Sequence, residues 1–242
     1  MIAHTSEDRL QAVTPVAWRF GGHLGARIDA VLEKRILGDF AWREIYPEAE
    51  EAFRTRVDDR IQPGKGLWQG EFWGKWMLGA LATQRYVRSP QLRGHLAKAI
   101  DGLLSTQDEN GYIGTYHDPS FLGRGTWNVW GRKYTLWALM EGYELLGDER
   151  ILVAARRFFD HLASEVGPDA VPILESGTFD GVPSSSILRP LLLLHRHTEE
   201  EKYLDYAQYI VKQWAAAESG RPDILRKCLS GVPVHEWFEN PL

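Results

Sequence analysis

The stretch TWNVWGRKYTLWALMEGYELLGDERIL, from Thr126 to Leu152, decides the fold. Its apolar residues recur at helical spacing, and they cover most of the helix circumference as far as Leu146. A short polar turn at Gly147–Asp148 then leads into a second, amphipathic pattern. A helix that is apolar on all sides is buried, whereas an amphipathic helix lies at the surface. The stretch therefore predicts a helical hairpin made of one inner and one outer helix.

The outer helix of this hairpin repeats an apolar pattern found twice more in the chain. Counted from Ser89, Asp148 and Glu200, apolar side chains stand at the third, seventh, tenth, eleventh and fourteenth positions. These side chains are Leu92, Leu96, Ala99, Ile100 and Leu103, then Ile151, Ala155, Phe158, Phe159 and Leu162, then Tyr203, Ala207, Ile210, Val211 and Trp214. Repeated hairpins bury their apolar faces by stacking, so the pattern predicts an all-α fold, an α/α toroid. An open solenoid is the alternative, since repeats alone do not distinguish closed arrays from open ones.

Helical spacing of the apolar residues recurs through most of the chain, and strand-like alternation is nearly absent. The predicted helices cover residues 15–36, 42–57, 70–88, 90–106, 128–147, 149–165, 185–197 and 200–218. We expect one α/α-toroid domain over residues 1–242.

Composition excludes several classes of protein. The chain has 242 residues, 44% of them hydrophobic and 25% charged, which is typical of a soluble globular protein. Its net charge of -5 gives no sign of a nucleic-acid surface. The start has no secretory signal pattern, and no apolar run is long enough to span a membrane, so we expect a cytoplasmic protein without a membrane partner. Ten tryptophans are notable, because aromatic rings stack on flat apolar ligand faces such as those of sugars.

Long segments rich in glycine and aromatic residues join one hairpin to the next. They cover residues 58–71, 107–128 and 173–186, and each ends where an inner helix begins. In a ring of hairpins these segments emerge at the same end. Long loops carry function more often than short turns do, and helix N-termini offer unpaired N–H groups there. The sequence therefore predicts a ligand site at one rim.

Four acidic residues of these segments are candidates for catalysis: Glu71, Asp108, Glu175 and Asp180. Glycoside hydrolysis generally needs two carboxylates about 5–10 Å apart, and several pairs are open at this stage. Glu71 is equally well explained as an acid in the first turn of a helix. Asp108 is equally well explained by the tight turn that Asn110–Gly111 favours.

Seven further residues are candidates for contact with a ligand: Trp73, Tyr112, Tyr116, Trp127, Trp130, Arg132 and Lys133. Trp127 and Trp130 share one helix face with Tyr134, which is also typical of core packing. Two cations beside such a face, at a helix start, favour a ligand-facing role for part of it. The eight histidines form no metal-ligand pattern, and we expect no metal site in this chain.

Several strings together resemble glycoside hydrolase family 127, the β-L-arabinofuranosidase type. They are GEFWGKWMLGAL, LLSTQDENGYIGTY, TWNVWGRKYTLWALMEGYELLGDERIL and SSSILRPLLLLHRHTEEEKYLDYAQYIV, and the resemblance covers about residues 65–237. It implies an (α/α)6 barrel with a sugar pocket at one end. It also implies retaining hydrolysis of a terminal furanoside, an L-arabinofuranoside, through a zinc-bound cysteine as nucleophile.

The sequence departs from the family where that nucleophile is expected. The Glu-x-Cys and Cys-Cys motifs are absent, and Cys228, the single cysteine, matches neither. The chain resembles only the N-terminal part of the barrel, about four of its six hairpins, so we expect a truncated barrel, incomplete at the C-terminus. Apolar surface left in water costs ~25 cal/mol per Å², which predicts self-association or pairing with a missing barrel half.

Two other functions stay open at this stage. The first is another α/α-toroid sugar enzyme, an unsaturated-uronide hydrolase or an epimerase, that uses carboxylates as acid and base. The second is a helical-repeat interaction module without catalytic activity.

Overall fold

Helices account for nearly all of the regular structure. The computed structural model describes residues 19–38, 40–56 and 69–215, together with Leu229 and Gly231. Within these residues no β-strand forms, and the only bridge is an isolated one between Val166 and Val171. The predicted all-α class is confirmed.

Nine α-helices follow one another along the described chain. They are α1 (Gly22–Val31), α2 (Tyr46–Thr55), α3 (Gln69–Val87), α4 (Pro90–Leu104), α5 (Asn128–Leu146), α6 (Glu149–Glu165), α7 (Val182–Ser185), α8 (Leu188–Thr198) and α9 (Glu201–Ala215). Two π-helical turns, Leu32–Ile36 and Ala41–Ile45, and two 3-10 turns, Ile173–Glu175 and Phe179–Gly181, lie between them. The predicted helices match these bounds within a few residues, although the ends predicted at 15–18, 57 and 216–218 lie outside the described residues.

Two of the predicted turns contain helix caps. The Ser89 Oγ accepts a hydrogen bond from the Leu92 N–H at 3.2 Å, at the start of α4. The Asp148 Oδ1 accepts one from the Arg150 N–H at 3.0 Å, at the start of α6. Each side chain satisfies an N–H group that the helix itself leaves unpaired. The repeat therefore begins with the same physical device in its first two copies.

The apolar positions of the repeat point into the core, as predicted, in all but the end of the third copy. Leu92, Ile151 and Tyr203, at the first repeated position, have no exposed surface. Val211 differs, since it is 37% exposed on α9. The third hairpin therefore buries less of its stripe than the other two.

The helices form an inner and an outer layer. The inner layer contains α3, α5 and α8, and its most extensive packing is between α3 and α5. In the outer layer, α4 packs on α3, α6 packs on α5, and α9 packs on α8. α2 packs on α3 and α4. α5 is buried on most sides, which agrees with its nearly continuous apolar pattern. The inner layer thus brings the starts of α3 and α5 to one end of the domain.

Some large apolar side chains remain at the surface. Phe40 and Phe72 are both more than half exposed. The self-association expected from such surface stays a prediction. Among the described residues, no helix combines the length and apolar character that crossing a membrane requires.

Candidate functional site

Glycines bring the first turns of α3 and α5 into close contact. A β-carbon built on Gly70 would meet the Gly131 Cα at 3.5 Å, and one built on Gly74 would lie 2.6 Å from the backbone of Tyr134. A larger residue at Gly74 would push the two helices apart, whereas a β-carbon at Gly70 would only touch the facing backbone. The close approach places side chains of both first turns in one shared cluster.

Glu71 supplies the carboxylate of this cluster and is 6% exposed. Its Oε1 accepts a hydrogen bond from the Nζ of Lys75, one helical turn further along α3. Its Oε2 is buried and has no hydrogen-bond partner among the described residues. One oxygen of this buried carboxylate can therefore accept a hydrogen bond from a ligand.

Lys133 approaches from α5 and is 4% exposed. Its Nζ lies 3.2 Å from the centroid of the Tyr134 ring and 3.8 Å from that of the Trp130 ring. The described part of the chain gives this Nζ no hydrogen-bond acceptor and no ion pair. Contact with aromatic faces offsets part of the cost of burying a cation.

Burial lowers the pKa of Lys133 to about 7. The charge of Lys75 lowers this pKa further, and the carboxylate of Glu71 opposes both effects. An amine with such a pKa changes its charge near neutral pH, and perturbed groups of this kind are enriched at functional sites. The cluster can therefore act as a donor, an acceptor or a proton-exchanging group.

Aromatic rings continue from the cluster to the surface. The Trp130 Nε1 is buried and has no hydrogen-bond partner among the described residues. Its ring lies 6.0 Å from that of Trp127, which in turn meets the Phe179 ring edge-on at 6.1 Å. Phe179 is 50% exposed. We call Trp127, Trp130 and Phe179 the aromatic rim.

Backbone hydrogen bonds hold the segment 173–181 against the loop before α5. The Gly177 N–H donates to the Leu122 carbonyl at 2.7 Å, and the Thr178 N–H donates to the Thr126 carbonyl at 3.1 Å. The same segment carries two of the predicted acids. Asp180 lies 3.8 Å from Arg124 next to the rim, and Glu175 is exposed.

The two predicted tyrosines shape the loop that leads into α5. The Tyr112 hydroxyl donates to the Tyr116 carbonyl at 3.0 Å and accepts from the Tyr116 N–H at 3.1 Å. The Tyr116 hydroxyl accepts from the Trp127 N–H at 3.0 Å. Both side chains are almost fully buried. Both tyrosines therefore support the rim from inside the protein and offer almost no surface to a ligand.

Arg132 lies in a buried ion pair. Its Nη1 donates to the Glu165 carboxylate at 2.7 Å, its Nε to the Asn128 side chain at 2.9 Å, and its Nη2 to the Pro119 carbonyl at 2.8 Å. All three nitrogens are thus engaged within the protein. Arg132 joins α5, α6 and the preceding loop, so the structure gives it a positioning role.

Asp108 is paired within the protein, whereas Trp73 is buried and its Nε1 has no hydrogen-bond partner among the described residues. Both Asp108 oxygens accept from the Arg56 guanidinium, at 2.5 and 2.9 Å, across the turn predicted there. Trp73 has no exposed surface and packs against the Phe53 ring at 5.9 Å. The structure therefore brings Glu71, Trp127, Trp130 and Lys133 together near one end, with Asp180 next to the rim. Glu175 is exposed, and the remaining candidates are paired or buried within the protein.

The predicted site residues omit two residues at this end, although Lys75 lies within the string GEFWGKWMLGAL noted in the sequence. Lys75 stands four residues after Glu71 on the same helix, a spacing that signals an ion pair. Phe179 lies in a long loop with a positive φ of 50°, which no sequence pattern announces. Only the position of its segment beside Trp127 makes it part of the rim.

A zinc site does not fit the described residues. None of them form a group of three or more histidine, cysteine, aspartate or glutamate side chains that could hold a metal ion. Cys228 lies outside the described ranges. The zinc expected for the complete family stays a prediction.

Comparison with known proteins agrees with this architecture. A family model described as the beta-L-arabinofuranosidase, GH127 catalytic domain, matches residues 31–224. A non-reducing end beta-L-arabinofuranosidase of Bifidobacterium longum subsp. longum is 23% identical over 150 residues, which cover 57% of this chain and 22% of that protein.

Two solved structures share the fold. One is a GH127 beta-L-arabinofuranosidase from Geobacillus stearothermophilus T6, with a TM-score of 0.61 and 20% identity over 88% of this chain and 34% of that one. The other is a GH127 beta-arabinofuranosidase, with a TM-score of 0.57 and 20% identity over 81% of this chain and 33% of that one. This chain thus spans about a fifth to a third of the length of the relatives it matches. The likeness supports the predicted α/α-barrel arrangement.

Proposed function

We propose a function from the premise that this chain belongs to the family of the beta-L-arabinofuranosidase GH127 catalytic domain. The chain binds the terminal L-arabinofuranosyl group of a glycoside at the aromatic rim, next to the first turns of α3 and α5. The reaction served by this binding is retaining hydrolysis of the furanoside bond.

One observation carries the proposal: an exposed aromatic surface adjoins buried polar atoms that lack partners. Trp127 and Phe179 offer ring surface at the rim, and just behind it Glu71 Oε2 and Trp130 Nε1 find no hydrogen-bond partner in the part of the chain that the structure describes. Sugars present an apolar face for stacking and hydroxyl groups for hydrogen bonds. Binding sites for small molecules commonly combine apolar walls with a few convergent polar groups.

In the reaction, these residues bind and orient the sugar. Stacking at the rim fixes the plane of the furanose ring, and the polar cluster fixes its hydroxyl groups, which brings a reactant close to its productive geometry. Asp180 directly follows Phe179 of the rim in the chain, and its Oδ1 lies 3.8 Å from the Arg124 Nη2. The role proposed for the described residues is recognition of the sugar.

Two assays on the whole chain test this function. The first follows release of 4-nitrophenol from 4-nitrophenyl β-L-arabinofuranoside, with and without a chelator. The second titrates methyl β-L-arabinofuranoside against the intrinsic tryptophan fluorescence, which Trp127 and Trp130 report. We expect saturable quenching by the furanoside.

The variant Phe179→Ala tests whether the furanoside binds at the aromatic rim or elsewhere on the surface. We expect its affinity for the furanoside to fall about tenfold, which corresponds to ~1.4 kcal/mol. Phe72→Ala is the matched control, because Phe72 is 57% exposed on α3 and lies outside the rim. If millimolar furanoside changes neither the fluorescence nor the nitrophenol signal, the chain is an interaction module or acts on another sugar, and the proposal is wrong.

A further inference from the structure

We propose that Glu71 and Lys133 form a matched acceptor and donor that together recognise two adjacent hydroxyl groups of a neutral sugar. The inference rests on the proposed function and names the chemistry by which the site selects its ligand. The recognised feature is a vicinal diol, held between the first turns of α3 and α5.

The unpaired acceptor is the first step of the argument. A buried polar atom without a partner costs about 1–3 kcal/mol, so proteins rarely retain one without a use. Glu71 Oε2 is such an atom, since Lys75 occupies only Oε1. A hydroxyl group that donates to Oε2 would remove this cost.

The donor lies in the same cluster. The Lys133 Nζ is 3.8 Å from the Trp130 ring centroid, and the Lys75 Nζ, which touches Glu71, is 5.9 Å from the same ring. Both cations therefore surround one tryptophan. Lys75 is committed to Glu71, whereas Lys133 meets only ring faces among the described residues. Its N–H groups can donate to a ligand oxygen.

A third group adds direction. The Trp130 indole N–H is a donor that cannot accept. It is buried beside Lys133 and has no acceptor among the residues that the structure describes. Glu71 contributes the acceptor, and Lys133 and Trp130 contribute donors. A hydroxyl group both donates and accepts, so two neighbouring hydroxyls can satisfy all three atoms.

The unpaired acceptor of the cluster favours a neutral ligand. The groups that face Lys133 are Lys75 and Glu71 from α3 and Tyr134 on its own helix. A uronate carboxylate could pair with Lys133, but it has no hydrogen to donate to Glu71 Oε2 and would leave that buried acceptor without a partner. A diol brings no such penalty. The same argument disfavours an unsaturated uronide as the substrate.

The test measures binding by isothermal titration calorimetry on the whole chain. The probes are methyl β-L-arabinofuranoside and D-galacturonate, each titrated into the wild type, Glu71→Gln, Lys133→Met and Lys98→Met. We expect both site variants to bind the furanoside at least tenfold more weakly. Lys98→Met is the matched control, because Lys98 is exposed on α4 and should leave the affinity unchanged.

The pH dependence of the wild type gives a readout that needs no variant. Hydrogen bonding to the sugar favours the protonated amine, so binding above pH 7 requires uptake of a proton by Lys133, whose pKa lies at about 7. We expect the affinity for the furanoside to fall about tenfold between pH 7 and pH 8.5. Lys133→Met should lose this dependence.

The outcomes separate the two proposals. If the furanoside binds the wild type and both site variants equally, or if the pH profile of the wild type is flat, the Glu71–Lys133 pair is overturned while the proposed function stands. Tighter binding of galacturonate than of the furanoside overturns the selection of a neutral sugar. If the wild type binds no furanoside at all, the proposed function fails as well.

Discussion

Lys133 should make the free energy of unfolding of this protein increase as the pH rises above 7. Burial against Trp130 and Tyr134 lowers the pKa of Lys133 from 10.5 to about 7. In the unfolded chain the amine regains its ordinary pKa of about 10.4. Between these two values the unfolded state binds a proton that the native state does not bind. The free energy of unfolding therefore rises with pH across this window and is lowest below pH 7.

The size of the effect follows from the two pKa values. A difference of one pKa unit between the folded and unfolded states corresponds to about 1.4 kcal/mol. At low pH, burial of the charged Lys133 therefore lowers the free energy of unfolding by about 5 kcal/mol. Between pH 7 and pH 9 we expect the Lys133 contribution to the free energy of unfolding to rise by about 2 kcal/mol. The rise should be absent from Lys133→Met, which should also be more stable than the wild type at pH 7.

Urea unfolding followed by circular dichroism at pH 7, 8 and 9 measures this difference. The free energy of the wild type is compared with that of Lys133→Met at each pH, because groups common to both proteins cancel. Lys98→Met is the control, since Lys98 is exposed on α4, and this variant should show the same pH profile as the wild type. Parallel profiles for the wild type and Lys133→Met would refute the account of a buried amine that is neutral above pH 7.

Two further predictions concern packing and buried charge. Arg132→Met leaves the Glu165 carboxylate without its partner and should lower the free energy of unfolding in urea by about 3–5 kcal/mol. The control is Arg150→Met, because the Arg150 side chain is 67% exposed and its loss should cost less than ~1 kcal/mol. Gly74→Ala places a β-carbon 2.6 Å from the Tyr134 backbone and should lower the free energy of unfolding by about 1–3 kcal/mol. Gly79→Ala on the same helix meets nothing within 4 Å and should instead stabilise by up to ~1 kcal/mol. Equal effects of Arg132→Met and Arg150→Met would contradict the buried ion pair of Arg132 with Glu165. Equal effects of Gly74→Ala and Gly79→Ala would contradict the close packing of α3 on α5.

The helices were predictable because their signals are local. A helix carries its buried face every three to four residues, so α5 and α6 can be read from Thr126–Leu152 and the residues that follow. The capping roles of Ser89 and Asp148 are equally local. Inner and outer layers could then be assigned, because a helix without a polar face has to be covered by its neighbours.

The candidate site was only partly predictable. Glu71, Trp130 and Lys133 were identified from their places at helix starts, but so was Arg132, which the structure pairs with Glu165. Asp108 was named as an acid, and the structure pairs it with Arg56. Each partner lies more than thirty residues away in the chain. No local spacing distinguishes a cation that faces a ligand from one that faces a distant carboxylate.

The sequence by itself determined the all-α class, the hairpin repeat and the end of the domain at which long aromatic segments gather, because periodicity and turn chemistry act between neighbours along the chain. Only the tertiary structure decided which polar atoms at that end have hydrogen-bond partners within the protein. It satisfied Arg132 and Asp108 with remote partners, and it left Glu71 Oε2 and Trp130 Nε1 buried without partners and Lys133 Nζ without an acceptor among the described residues. Hydrogen bonds and burial depend on which surfaces meet, and close contact at Gly70, Gly74 and Gly131 brings α3 and α5 together there.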